Sequence, residues 1–159
     1  MNKSADLVVG FHHPGIVVPD LEQAIEFYTE LLGYELVSKS SWSSDDDGFN
    51  QVVGLEGSAA SFCMLRGKNA YLEIFEYSSP PGDQPVQPSY ANEPGIRHLS
   101  FEVEDVETLL DRCAALGGSR INDPYLVPGR AAAAYCRDPF GNLLEFVKPM
   151  GGFPELMTT

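Results

Sequence analysis

The chain has 159 residues, 43% hydrophobic and 21% charged, which suits one soluble globular domain or two small halves sharing a core. Ten basic residues against 23 acidic ones give a formal net charge of −13, which argues against nucleic acid and anionic membrane surfaces as partners. No apolar run approaches the roughly 18 residues of a membrane span, and "MNKSADLVVG" lacks the apolar core and cleavage site of a secretory signal, so a cytoplasmic location is expected.

In chain order, the first predicted elements lie in "HPGIVVPDLEQAIEFYTELLG", residues 13–33. "GIVV" is rich in β-branched residues and reads as a strand. Asp20 is placed to cap the following helix, with Gln23 at capping-box spacing. Leu21, Ala24, Ile25 and Tyr28 form one apolar helical stripe. Gly33 marks the C-terminal stop, where a left-handed residue is needed. Three strands are expected next, in "YELVSKSSW", "ASFCMLRG" and "AYLEIFEY". The polar stretch "SSDDDGFN" between the first two is expected to be a loop, with Trp42 and Phe49 flanking it as candidate lid residues. Residues 78–95 are rich in proline and polar residues and read as a linker.

The pattern then repeats 85 residues on, without a gap, in "HLSFEVEDVETLLDRCAALGG", residues 98–118. His13 aligns with His98, Asp20 with Asp105, and Gly33 with Gly118. Asp105 with Thr108 repeats the capping spacing, and Val106, Leu109, Leu110 and Cys113 repeat the stripe. Strands follow in "SRIND", "RAAAAYCRD" and "NLLEFVKP", with "DPFGN" as a turn before the last. Each copy therefore reads β-α-β-β-β: residues 8–77 and 96–149, with 150–159 as an unassigned tail. Cys63, Cys113 and Cys136 have no CxxC spacing and are expected to be buried, reduced thiols.

Strand parity sorts the candidate site residues. Leu99, Phe101 and Val103 should pack under a helix, so His98 faces the other way; by the offset, so does His13, whereas His12 does not. Glu73 and Glu145 are carboxylates amid apolar neighbours in the last strand of each copy, costly to bury unpaired. Glu76 alternates away from Glu73 and should face solvent or lie under a helix end. His13, Glu73, His98 and Glu145 converge if the copies pair about a pseudo-twofold axis. Two imidazoles and two carboxylates suit one divalent metal ion: Zn, Ni, Co, Mn or Fe.

"HPGIVVPDLEQAIEFYTELLGYEL", "YLEIFEY", "GIRHLSFEVEDV" and "RDPFGNLLEF" together resemble the vicinal oxygen chelate superfamily over about residues 8–149. That superfamily includes glyoxalase I, methylmalonyl-CoA epimerase, extradiol dioxygenases and the fosfomycin and bleomycin resistance proteins. The resemblance implies an α+β fold in which two tandem βαβββ modules form an open, curved eight-strand sheet around a metal. It implies His13, Glu73, His98 and Glu145 as the metal ligands, with Glu145 and Glu73 as candidate proton-shuttling carboxylates. Four filled ligand positions lean toward the glyoxalase and epimerase branch: a lyase or isomerase that stabilises an enolate or enediolate of a small carbonyl substrate, free or thiol- or thioester-linked. A non-haem Fe(II) dioxygenase and a drug- or metabolite-binding resistance protein are the alternatives. Tyr71, Phe75 and Tyr77 share the parity of Glu73 as candidate cavity residues, and Tyr135 is a candidate substrate hydrogen-bonder. Arg66, with Lys68, Arg97, Arg130 and Arg137, is a candidate for a basic rim. A homodimer is the assembly that the resemblance implies.

Overall fold

The computed structural model describes residues 7–82 and 90–151. They divide into two compact units, one holding residues 7–25 and 32–80, the other residues 26–31, 81–82 and 90–151. Residues 83–89 of the linker and most of the tail lie outside the described residues. No helix among the described residues is long and apolar enough to cross a membrane.

The first unit contains β1 (Gly15–Val17), the start of α1 (Leu21–Leu32), β2 (Glu35–Trp42), α2 (Asp47–Val53), β3 (Ala59–Arg66) and β4 (Tyr71–Ser79). The strands form an open four-stranded sheet in the order β1-β4-β3-β2. β1 runs parallel to β4, while β3 is antiparallel to both β2 and β4. Along β3 and β4, Cys63, Leu65, Leu72 and Ile74 turn to one face and are fully buried. The helix start is capped locally and tied to this face. Asp20 Oδ1 accepts from the Gln23 N–H at 2.9 Å, as the capping motif predicts. Glu76 Oε2 accepts from the Leu21 N–H at 2.8 Å, so Glu76 does lie under a helix end, where a carboxylate suits the positive pole.

The second unit contains β5 (His98–Glu102), α3 (Val106–Ala115), β6 (Ser119–Arg120), β7 (Tyr125–Val127), β8 (Ala131–Arg137) and β9 (Leu143–Pro149). Its order is β5-β9-β8-β6, with β7 also paired to β8. β5 runs parallel to β9, repeating the β1–β4 relationship. The eight expected strands are thus present in an α+β fold, and β7 is a ninth. Asp105 caps α3 through the Thr108 N–H at 3.2 Å. Val106, Leu110 and Cys113 pack inward with Leu144, Phe146 and Cys136. All three cysteines are free and buried.

Three local expectations are corrected. The "SSDDDGFN" stretch is not all loop: Asp46 Oδ1 accepts from the Phe49 N–H at 3.0 Å and starts α2 at Asp47, and Gly54, at φ 70°, ends it. Trp42 and Phe49 do not form a lid. They stack on each other at 4.7 Å, and the buried Trp42 donates its indole N–H to Ser58 Oγ at 2.9 Å. At the end of α3 the left-handed residue is Gly117, at φ 93°, and not Gly118. Gly118 is required for a different reason: a Cβ there would lie 2.5 Å from the Arg137 carbonyl oxygen and 2.6 Å from Cys113 Sγ.

One buried carboxylate organises the "DPFGN" turn. Asp138 Oδ1 accepts from the backbone N–H groups of Phe140 (3.0 Å) and Asn142 (2.8 Å). Its Oδ2 accepts from Asn142 Nδ2 and from the hydroxyl of the fully buried Tyr28, both at 2.8 Å. Four donors satisfy the carboxylate, which is how a charge is tolerated inside.

Candidate metal centre

The parallel β1–β4 ladder starts before β1 itself. The Tyr71 N–H donates to the His12 carbonyl at 3.0 Å and the Glu73 N–H to the Pro14 carbonyl at 3.1 Å. Pro14 fits because β1 is an edge strand and only its carbonyl is used. Gly15 is the register partner of Glu73. The His13 ring therefore comes down beside the Glu73 carboxylate, with Nε2 3.1 Å from Oε2.

The second unit repeats the construction. Ser100, 85 residues after Gly15, is the register partner of Glu145. His98 Nε2 lies 3.4 Å from Glu145 Oε2. All four side chains are partly exposed, between 20% and 36%.

The spacing fits shared metal ligation. Two donors each about 2.1 Å from one ion, at angles between octahedral and tetrahedral values, lie about 3.0–3.4 Å apart. Both His–Glu separations fall in that window. Neutral imidazole nitrogen with carboxylate oxygen suits Zn, Ni, Co, Mn or Fe(II). Among the described residues no group of three or more His, Cys, Asp or Glu side chains is arranged to hold a metal; the two His–Glu contacts are separate, one in each unit.

Around the Glu73 pair, the face opposite the buried one is aromatic. Phe75 stacks with Phe62 at 5.8 Å, and Tyr77 meets Trp42 edge-on at 5.7 Å. Burial, and then the charge of Glu73, pushes the Tyr77 hydroxyl above its ordinary range; burial and Glu145 do the same to Tyr135. Both phenols therefore stay protonated donors at neutral pH. Tyr135 is the register partner of Glu145, and its ring meets His98 edge-on at 5.1 Å.

Tyr71 points to a different feature. Its ring stacks on His12 at 4.9 Å and 27°, and His12 Nδ1 lies 2.6 Å from His13 Nδ1. Parity alone separates the two histidines, but residues 12 and 13 precede the regular strand, so their rings can meet. A cleft of about 280 Å³ opens beside them, lined by Phe11, His12, Arg66, Lys68 and Tyr71 among others. Arg66 is ion-paired with Glu35, its register partner on β2. Arg97 pairs with Glu93 at 3.2 Å, and Arg137 donates to the Gly141 carbonyl at 2.7 Å, so each of these arginines already has a local partner.

Comparison with known proteins gives a consistent picture. The family model described as "Glyoxalase/Bleomycin resistance protein/Dioxygenase superfamily" matches residues 10–146. A 2-epi-5-epi-valiolone epimerase of Actinomyces sp. is 33% identical over 92% of this chain and 82% of its own length. A lactoylglutathione lyase of Arabidopsis thaliana is 25% identical over 91% of this chain, which spans about half (46%) of that protein. Among solved structures, a glyoxalase family protein from Bacillus cereus has a TM-score of 0.81 at 20% identity, covering 91% of this chain and 96% of that one. The fosfomycin resistance protein FosX of Listeria monocytogenes, solved with Mn(II), has a TM-score of 0.57 at 22% identity, covering 89% and 94%.

Proposed function

The chain belongs to the Glyoxalase/Bleomycin resistance protein/Dioxygenase superfamily, the vicinal oxygen chelate group, and from that premise we propose that it is a metal-dependent isomerase or lyase acting on a small carbonyl compound. One observation carries this reading: the His–Glu pair that recurs in both units at ligand spacing, His13 with Glu73 and His98 with Glu145. These four residues are the proposed ligands of one divalent ion. The 33% identity to an epimerase, over most of both chains, favours isomerisation beside a carbonyl over thiol-adduct chemistry.

When bound, a divalent ion polarises a substrate carbonyl and offsets the negative charge that develops on its oxygen. The chain's own groups do the rest. Glu73 or Glu145 removes the proton from the carbon beside the carbonyl, and a carboxylic acid returns one. Epimerisation needs a base and an acid, and the repeat supplies two carboxylates. Tyr77 and Tyr135, held protonated, are placed to donate hydrogen bonds near them. Phe75, two residues along β4 from Glu73 and on the same face, stacks with Phe62 and gives that face an apolar patch.

The test is proton exchange. The purified protein, loaded in turn with each metal, is incubated in D2O with a polyhydroxylated cyclic ketone, methylglyoxal–glutathione hemithioacetal, methylmalonyl-CoA and a catechol. Deuterium entering beside a carbonyl supports the proposal. Oxygen consumption on the catechol without exchange would replace it with dioxygenase chemistry, and tight ligand binding without either would replace it with a binding role.

A further inference from the structure

We infer that His12 is a positioning residue that fixes which nitrogen of His13 is free to bind metal; this rests on the metal reading above. The two Nδ1 atoms are 2.6 Å apart, a distance that requires one of them to carry a hydrogen and the other a lone pair. His13 presents Nε2 to Glu73. A metal on that nitrogen needs the Nε2 lone pair, so the ring's one hydrogen sits on Nδ1. His12 Nδ1 then accepts it, and the hydrogen of His12 sits on its own Nε2.

His12 is held for this task from two sides. Its carbonyl accepts from the Tyr71 N–H at 3.0 Å, and its ring lies flat against the Tyr71 ring at 4.9 Å. Backbone and imidazole are thus both pinned by one residue of β4, two positions from Glu73. An N–H donated away from the metal both orients a ligating imidazole and raises its basicity.

The device belongs to one unit only. The residue 85 positions after His12 is Arg97, whose guanidinium has donors and no acceptor. Arg97 is engaged with Glu93 instead, and His98 has the edge of Tyr135 beside it. The repeat therefore supplies two similar ligand pairs, of which only the first carries an accepting imidazole behind its histidine.

The experiment measures zinc affinity of the full chain by competition with a chromophoric chelator, for the native protein, His12→Ala, His12→Asn and His13→Ala. Loss of a ring acceptor behind a ligating histidine weakens binding by about 10–100-fold. The expected result is that loss in His12→Ala, with recovery in His12→Asn, whose amide oxygen occupies the place of Nδ1. Nitrogen-15 shifts of the zinc-loaded native protein should show His12 Nδ1 bare and His13 Nδ1 protonated. Native affinity in His12→Ala, or equal weakening in His12→Asn, overturns the inference while leaving the metal reading standing, provided His13→Ala loses the site. Unchanged affinity in His13→Ala overturns both.

Discussion

Glu73 stands opposite Gly15 in the parallel β1–β4 ladder, and this register brings its carboxylate to 3.1 Å from the imidazole two residues upstream. The same register joins Glu145 to Ser100 and yields the His98 pair. The two His–Glu pairs are thus a consequence of how the first and last strands of each repeat align, not of any local sequence motif.

Replacing Glu145 by Gln removes a base and a charged ligand but keeps the side chain's shape. Turnover should fall by about 10²–10⁴-fold, the usual worth of a positioned acid–base group. The thermal midpoint of the metal-free protein should stay close to native, because Glu145 is partly exposed and its neighbours Leu144 and Phe146 form the core. Deuterium exchange at full turnover in this variant would remove Glu145 from the chemistry.

The Tyr28–Asp138 contact should dominate the stability of the second unit. Tyr28→Phe deletes one hydrogen bond to a charged acceptor and should cost about 1.5–3 kcal/mol. Asp138→Ala leaves the Tyr28 hydroxyl and the Phe140 and Asn142 N–H groups without their acceptor, and should cost more, about 3–5 kcal/mol. Urea unfolding of the two variants checks the order; equal costs would mean that Asp138 does not organise the turn.

Gly118→Ala should be worse than Gly33→Ala. At Gly118 the new methyl meets a backbone oxygen at 2.5 Å and the buried Cys113 sulfur at 2.6 Å, neither of which can yield cheaply. Overpacking of this kind costs about 1–3 kcal/mol and sometimes more. At Gly33 the space is open and only the positive φ of 67° opposes the substitution, costing about 1–2 kcal/mol. Comparison of chemical denaturation midpoints decides the order.

Alkaline pH should weaken the fold. Burial holds the Cys63 thiol at about 11, above its ordinary 9.0. The unfolded chain therefore releases this proton first. Stability from this group is complete below pH 9 and declines as pH rises toward 11, by at most about 1.4 kcal/mol per pH unit. Tyr28, raised by burial and by Asp138, acts in the same direction at higher pH. Cys63→Ala should flatten the slope of unfolding free energy between pH 9 and 11; an unchanged slope would assign it to other groups.

Much of this architecture is legible in the residues. The gapless offset of 85 puts His13 and His98 at matching places of the two copies, each beside the glutamate of that copy's last strand. The capping aspartates Asp20 and Asp105 are legible because the N-cap needs a short acceptor at one position. The short helix α2 was hidden by three successive aspartates that read as loop, although Asp46 among them is its cap. Gly117 and Gly118 are adjacent, and only packing against Arg137 separates their roles. The partnership of Tyr28 with Asp138 spans 110 residues, and no periodicity reports a contact at that distance. Parity separates His12 from His13, but both precede Gly15, where the regular strand begins, and their rings meet there.

The most direct test of the account is elemental analysis of the purified protein beside His13→Ala and His98→Ala, each reconstituted with excess zinc and desalted. The account predicts about one tightly held divalent ion per native chain and its loss in both variants, since each removes one nitrogen of the four proposed ligands. A full equivalent of metal retained in either variant would contradict it.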